Sequence, residues 1–290
     1  MNYRHHFHAG NFADVMKHAL LVRLVRALQK KEKGFLYLDT HAGRGGYDLA
    51  AAATGDSLAR TPEWPDGIGR LAAREDLPAA VAEYVTLVRE FDRRAGNAPG
   101  TVAPRFYPGS PWFARLLVRM QDRLALVERQ PAECAALRDE FQFSPRTTVQ
   151  EMDGYVAVRA MLPPLERRAL VLIDPPFEAQ DEFAQIAQAL GEGLRRFHSG
   201  VFAVWYPLTE RARVDEFFDA VRAMRPPPTL AAELMIAGAQ ASVKMKGCGL
   251  VVINPPWQFD REAEAVLGFL AAALAQAPGG AVTVRWLVPE

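Results

Sequence analysis

The run Leu170-Val171-Leu172-Ile173 is followed directly by Asp174-Pro175-Pro176-Phe177. Two prolines after a buried apolar strand fix φ and remove two amide donors, so carbonyl oxygens there stay available as acceptors. A carboxylate, a carbonyl and an aromatic ring within four residues make a receptor for a planar amine. Asp174 and the Pro175 carbonyl would take the two hydrogens of an exocyclic amino group while Phe177 stacks on the ring. Asn254-Pro255-Pro256-Trp257 follows the same pattern after the apolar run Leu250 to Ile253.

Three other apolar runs end in residues suited to binding. Phe35 to Asp39 leads into Thr40-His41-Ala42-Gly43-Arg44-Gly45-Gly46, where glycines let backbone amides approach a ligand and Arg44 is placed to touch a phosphate. The spacing is not the dinucleotide fingerprint, because Asp48 stands where the third glycine belongs. Leu124 to Glu128 ends in a carboxylate that fits the two hydroxyls of a ribose, or is an exposed glutamate. Thr147 to Met152 ends in Asp153-Gly154, which fits an adenine amino group with its ring against the backbone, or an ordinary turn.

These tips need elements to hold them. Asn11 is placed to cap a helix with Asp14 at its third position and an apolar face through Val15, Met16, Ala19, Leu20, Val22 and Leu24. Strand-like runs, among them Val201 to Trp205 and Leu230 to Ile236, alternate with helical patterns, which implies an α/β fold whose largely parallel sheet is covered on both faces. In such sheets ligands bind beyond the carboxyl ends of the strands. Residues 48–104 break the pattern with glycine, proline and charge around one amphipathic helix, near Pro78 to Arg94. They are expected to form a helical insertion in a core made of 1–47 and 105–290.

Composition agrees with a globular chain: 290 residues, half of them apolar, with 34 basic and 34 acidic side chains. The balance is uneven along the chain. Residues 1–33 carry a formal +5 and the remainder −5, so Arg4, Lys17 and Arg23 form a basic arm suited to a polyanion such as RNA, or a solvated helix face. His5, His6 and His8 have no nearby acid or cysteine to complete a metal site, so no metal is expected. Cys134 and Cys248 stand alone and read as buried small hydrophobes. The longest tempting apolar run, Ala265 to Ala275, is too short to span a bilayer. With no signal-like amino terminus, a cytoplasmic protein without membrane contact is expected.

The order of glycine loop, ribose acid, Asp153 and Asp174-Pro-Pro-aromatic resembles the class I S-adenosylmethionine-dependent methyltransferases that act on the amino nitrogen of a base. In that fold the strand before Asn254 runs antiparallel and ends away from the cofactor, so Asp174 is chosen and Asn254 is assigned to a structural turn. The 85 residues from Gly43 to Glu128, where about twenty are usual, are accounted for by the insertion. Tyr3 to Asn11, Ala13 to His18, Tyr37 to Gly43, Tyr107 to Pro111, Trp205 to Pro207 and Trp286 to Glu290 together resemble the RlmJ family of 23S ribosomal RNA adenine-N6 methyltransferases.

The resemblance implies a monomer with a Rossmann-like core and a small helical subdomain, acting near the peptidyl-transferase centre in domain V. It implies S-adenosylmethionine contacts from His18, His41, Gly43, Ser110, Glu128, Asp153, Gly154 and Asp174, with Lys17 beside the cofactor carboxylate. Asp174, Pro175 and Phe177 would be catalytic, and Tyr3, Arg4 and Lys17 would meet the RNA. Phe177 replaces the family's usual tyrosine, keeping the ring and losing the hydroxyl. Ser110 before Pro111 is also a good helix cap, and Trp205 with Tyr206 would wall the base pocket. The expected partner is free or early-assembly 23S RNA, with no obligate protein partner. The rival classes are a DNA adenine-N6 methyltransferase, a non-catalytic RNA-binding protein on the same fold, and a nicotinamide oxidoreductase.

Overall fold

The computed structural model describes residues 7–51, 61–238 and 240–290. Helix α1 spans Phe12–Gln29 and begins as its sequence requires: the Asn11 side chain accepts from the Ala13 and Asp14 amides, each at 3.0 Å. Asp14 sits in the positive first turn and reaches back to the Gly10 amide at 3.0 Å, a capping box displaced by one residue. Fourteen of the eighteen residues of α1 are buried, so the helix carries Asp14, Lys17 and His18 into the interior with its apolar side chains.

The main sheet has eight strands in the order β10-β8-β9-β7-β6-β1-β4-β5. β1 (Leu36–Asp39), β4 (Arg123–Glu128), β5 (Thr147–Glu151), β6 (Ala169–Ile173) and β7 (Val201–Pro207) are parallel. β1 lies between β4 and β6, with Asp39 level with both Leu126 and Leu172. Every residue of β1 and β6 is buried, as befits strands covered on both faces. Their side chains alternate between two cores. Tyr37 and Leu170 join α1, α3 (Ala79–Arg94), α4 (Ser110–Leu117) and α9 (Phe259–Ala273) on one face. Leu36, Leu38 and Val171 join α6 (Gly154–Met161), α7 (Glu182–Arg196) and α8 (Arg211–Ala223) on the other. The fold is a Rossmann-like α/β arrangement.

β9 (Gly247–Ile253) is antiparallel to both β7 and β8 (Thr229–Met235). Residues 281–288, outside the expected strands, form β10 (Ala281–Val288) on the sheet edge, where exposed and half-buried side chains alternate. Cys134 and Cys248 are both buried. Among the described residues no helix is long and apolar enough to cross a membrane.

The stretch expected as an insertion is rooted in a two-stranded ribbon, β2 (Gly46–Asp48) with β3 (Phe106–Pro108). A short 3-10 turn at Trp64–Asp66 and α2 (Gly69–Ala72) precede α3. On the apolar face of α3, Val81, Tyr84, Val85 and Val88 belong to the same core cluster as α1, and Phe91 is buried with its ring 5.2 Å from that of Trp112. Asp92 pins the end of α3 to the ribbon by accepting from the Arg105 and Phe106 amides at 3.0 and 2.7 Å.

Strand direction separates the two proline motifs. Ile253 is level with Phe202 near the start of β7, so Asn254 lies beyond the amino ends of the parallel strands, at the opposite end from Asp174. Its side chain is committed to the backbone, donating to the His198 and Gly200 carbonyls at 2.7 and 2.8 Å from a left-handed φ of 54°. Asn254→Ala removes both bonds and puts alanine in that conformation, and is expected to lower the unfolding free energy by about 2–3 kcal/mol. Asn254→Gly, which tolerates the φ, should cost less; urea denaturation of both variants measures the difference.

Candidate active site

The carboxyl ends of β1, β4 and β6 and the amino-terminal ends of α1, α4 and α6 surround a cleft of about 1560 Å³. Lys17 and His18 enter it from α1, His41 and Gly43 from the loop after β1, and Ser110 from α4. Glu128 enters from β4, Asp153 and Gly154 from the start of α6, and Asp174, Pro175 and Phe177 from the end of β6. The expected site residues therefore converge, apart from Tyr3 and Arg4, which lie outside the described residues, as do His5 and His6.

One half of the cleft is built from backbone. Gly43 has φ 60°, and a Cβ there would stand 2.4 Å from the Tyr47 hydroxyl oxygen. Its amide donates to Glu128 Oε2 at 2.9 Å, and the Gln130 amide donates to Oε1 at 2.7 Å. Burial raises the Glu128 pKa despite these bonds. At Gly154 a Cβ would meet the Thr40 carbonyl oxygen at 2.2 Å, so glycine lets α6 close on the loop after β1. Asp153 caps α6 through Oδ1, which accepts from the Tyr155 and Val156 amides at 2.9 and 3.2 Å, and its Oδ2 faces Arg129 at 3.2 Å.

Beneath this loop Asp39 is fully buried, accepting from the Tyr37 hydroxyl at 2.9 Å. Burial pushes its pKa up to about 6, against hydrogen bonds from Ser110 and Tyr37. Ser110 is not the helix cap expected of it. Gly109 occupies that position and Ser110 is the first helical residue, its hydroxyl turned to Asp39 and Tyr37. His41 packs edge-on to Tyr155 with ring centroids 5.2 Å apart, and its Nδ1 meets the Thr40 hydroxyl at 2.8 Å. Burial lowers its pKa to about 4, against the pull of Asp174 and Asp153. His18 Nδ1 meets the Tyr107 hydroxyl at 2.8 Å, which in turn meets the Tyr84 hydroxyl at 3.0 Å.

The other half is charged and aromatic. Lys17 Nζ donates to Asp174 Oδ2 at 2.5 Å and pairs with Asp14 Oδ1 at 2.8 Å. Burial alone would lower the Lys17 pKa, and the two carboxylates more than reverse this and hold it well above its ordinary value. Phe177 has a left-handed φ of 50°, a costly conformation for an aromatic residue. Its ring lies 5.0 Å from Phe183 and 5.8 Å from Trp205, edge-on to both. No expectation from the sequence pairs Asp14 with Lys17; their i, i+3 spacing on a helix is the signal that could have shown it.

Four further expectations change. Tyr206 does not wall the cleft. It faces away from Trp205 on the same strand and donates to Glu233 at 3.0 Å. Arg44 is not free for phosphate, because Glu133 holds it through both carboxylate oxygens at 2.9 and 2.8 Å. Arg23 binds Glu83 and Glu262, each at 2.9 Å, and so ties α1 to α3 and α9. Lys17 is buried against Asp174 instead of standing on a basic RNA-binding face. Of the histidine-rich arm, His8 pairs with Glu63 of the insertion at 2.9 Å.

Parallel strand ends, a glycine loop tied to an acidic strand tip and an Asp-Pro-Pro-Phe turn define a Rossmann-like methyltransferase. Residues 32–288 match the model of the family described as ribosomal RNA large subunit methyltransferase D, RlmJ. Two relatives described as ribosomal RNA large subunit methyltransferase J, from Escherichia coli (strain K12) and Haemophilus influenzae (strain Rd), are 40% and 39% identical over the full length of both chains. The crystal structure of protein LPL1258 from Legionella pneumophila superposes with a TM-score of 0.85 at 34% identity, covering 96% of this chain and 98% of that one. The chain belongs to the RlmJ family of large-subunit ribosomal RNA methyltransferases.

The His41 shift has a consequence for folding. Its pKa is about 4 in the folded protein against an ordinary 6.5, so the unfolded chain binds more protons between those values and stability contributed by His41 rises with pH. The stability difference between wild type and His41→Gln should therefore grow from about pH 4 to about pH 6.5 and be level above. Urea denaturation across that range checks it, and a pH-independent difference would mean that His41 titrates normally.

Proposed function

We propose that this protein transfers a methyl group from S-adenosylmethionine to the exocyclic N6 nitrogen of an adenine in 23S ribosomal RNA, in domain V near the peptidyl-transferase centre. The observation that carries the reading is the Asp174 carboxylate. It stands at the cleft with Oδ2 held by Lys17, and among the described residues no hydrogen bond reaches Oδ1. Two prolines without amide donors and the Phe177 ring stand beside it.

The backbone half of the cleft suits the cofactor. Glu128, held by two amides at a strand tip, fits ribose hydroxyls. Gly43 and Gly154 give close backbone approach, Asp153 and His41 suit an adenine, and His18, Ser110, Lys17 and Asp174 line the same cleft. When bound, S-adenosylmethionine supplies a methyl group made electrophilic by a sulfonium.

The chain's own residues do the rest. Adenine N6 is a poor nucleophile because its lone pair is delocalised into the ring. Hydrogen bonds from N6 to Asp174 Oδ1 and the Pro175 carbonyl favour a pyramidal nitrogen, and Asp174 takes the departing proton. Phe177 and Trp205 hold the ring in one plane, so orientation supplies much of the acceleration. The target base must leave its stack to enter the cleft, which favours protein-free or early-assembly RNA over a closed duplex. No obligate protein partner is invoked.

The test is to incubate purified protein and labelled S-adenosylmethionine with protein-free 23S RNA, 16S RNA and duplex DNA, and to digest the products to nucleosides. N6-methyladenosine from 23S RNA alone is expected; label in duplex DNA instead would replace the RNA reading with a DNA one. Asp174→Ala should abolish transfer, while Asn254→Ala should turn over near the wild-type rate. The reverse pattern would move the reaction to the second proline motif.

A further inference from the structure

Among the described residues, the most heavily buried charge cluster is the one at the head of α1. Asp14 and Lys17 are 3% and 5% exposed. Asp14 Oδ2 is anchored by the Gly10 amide at 3.0 Å, and Oδ1 is paired with Lys17 at 2.8 Å. The ammonium faces Asp174 Oδ2 at 2.5 Å and lies 5.9 Å from the centroid of the Trp205 ring. The bond to the Gly10 amide does not account for the burial of Asp14 or for its contact with Lys17. Asn11 already satisfies two amides of the first turn, and an acid serving only the helix dipole is as effective on the surface, where it keeps its hydration.

We propose that Asp14 is a positioning residue for methyl transfer: it shares the Lys17 ammonium with Asp174 and so keeps the second oxygen of Asp174 open to the amino group that is methylated. An ammonium buried against one carboxylate gains most by engaging both of its oxygens, because nothing else in a low-dielectric site competes for it. With Asp14 fixed on the other side, Lys17 is drawn away from Oδ1 and orients Asp174 by a single bond. The three groups then carry a net charge of −1, which opposes the positive charge that develops on N6 as the new bond forms. With asparagine at position 14 the pair is neutral and closed.

The kinetic part of this inference rests on the proposed function, and the structural part does not. Asp14→Asn keeps an acceptor for the Gly10 amide and removes the charge. A crystal structure of D14N is expected to place Lys17 Nζ within about 3.2 Å of both Asp174 oxygens. With 23S RNA, kcat should fall roughly 10- to 100-fold, while the affinity for S-adenosylhomocysteine by calorimetry stays within about threefold. In a Lys17→Met background, D14N should change kcat by less than about twofold, because the ammonium through which Asp14 acts is gone. Should D14N not fold, Asp14→Ser, which retains an acceptor, is read in the same way.

Lys17 still bound to Oδ2 alone in the variant overturns the proposal, as does an unchanged kcat or an equal loss of kcat with and without Lys17. Wild type that binds S-adenosylhomocysteine but methylates no RNA would instead overturn the functional reading, and the position of Lys17 in D14N would still decide the role of Asp14.

Discussion

The ion pair between Lys17 of α1 and Asp174 at the end of β6 is the constraint around which the site is arranged. Burying a charge costs several kcal/mol unless a partner meets it in good geometry, so the helix that carries Lys17 inward has little freedom to turn about its axis. Lys17 on one side and Arg23 on another, tied to Glu83 and Glu262, define the rotation of α1. That rotation places His18 against Tyr107 and leaves the apolar residues of α1 on the sheet. The sheet in turn sets β6 beside β1, which brings Asp174 next to the glycine loop.

Burial acts in opposite senses on Asp39, the last residue of β1, and on His41 in the loop that follows. It favours the neutral form of both, raising Asp39 and lowering His41. Charge of both signs gathers on the other side of the cleft, where Lys17 meets Asp14 and Asp174. The cleft thus joins a half in which backbone amides bind a carboxylate to a half built on a buried ion pair.

Much of this was legible locally. An apolar run closed by Asp174 and two prolines announces itself within eight residues, and the Asn11 cap with Asp14 three positions on is equally compact. The choice between Asp174 and Asn254 required strand direction, which the expected fold supplied. What escaped depends on partners distant in the chain. Arg44 reads as an open cation until Glu133 is brought to it, and Arg23 reads as basic surface until α3 and α9 close over it. Trp205 and Tyr206 differ by one position, hence by one sheet face, and their sequence does not say which face is the cleft. β10 alternates at an edge, and β2 and β3 have three residues each, too few for periodicity to register.

The phenols of Tyr84 and Tyr107 form an unbroken hydrogen-bonded chain from α3 to His18 at the cleft. The interposed segment is therefore no detachable module on a finished scaffold. Its helix supplies part of the floor on which α1 rests, and removing it would strip the cover from a buried histidine. Such a segment is inherited with the core and changes only in concert with it, so sequence drift in α3 should be answered by compensating drift in α1.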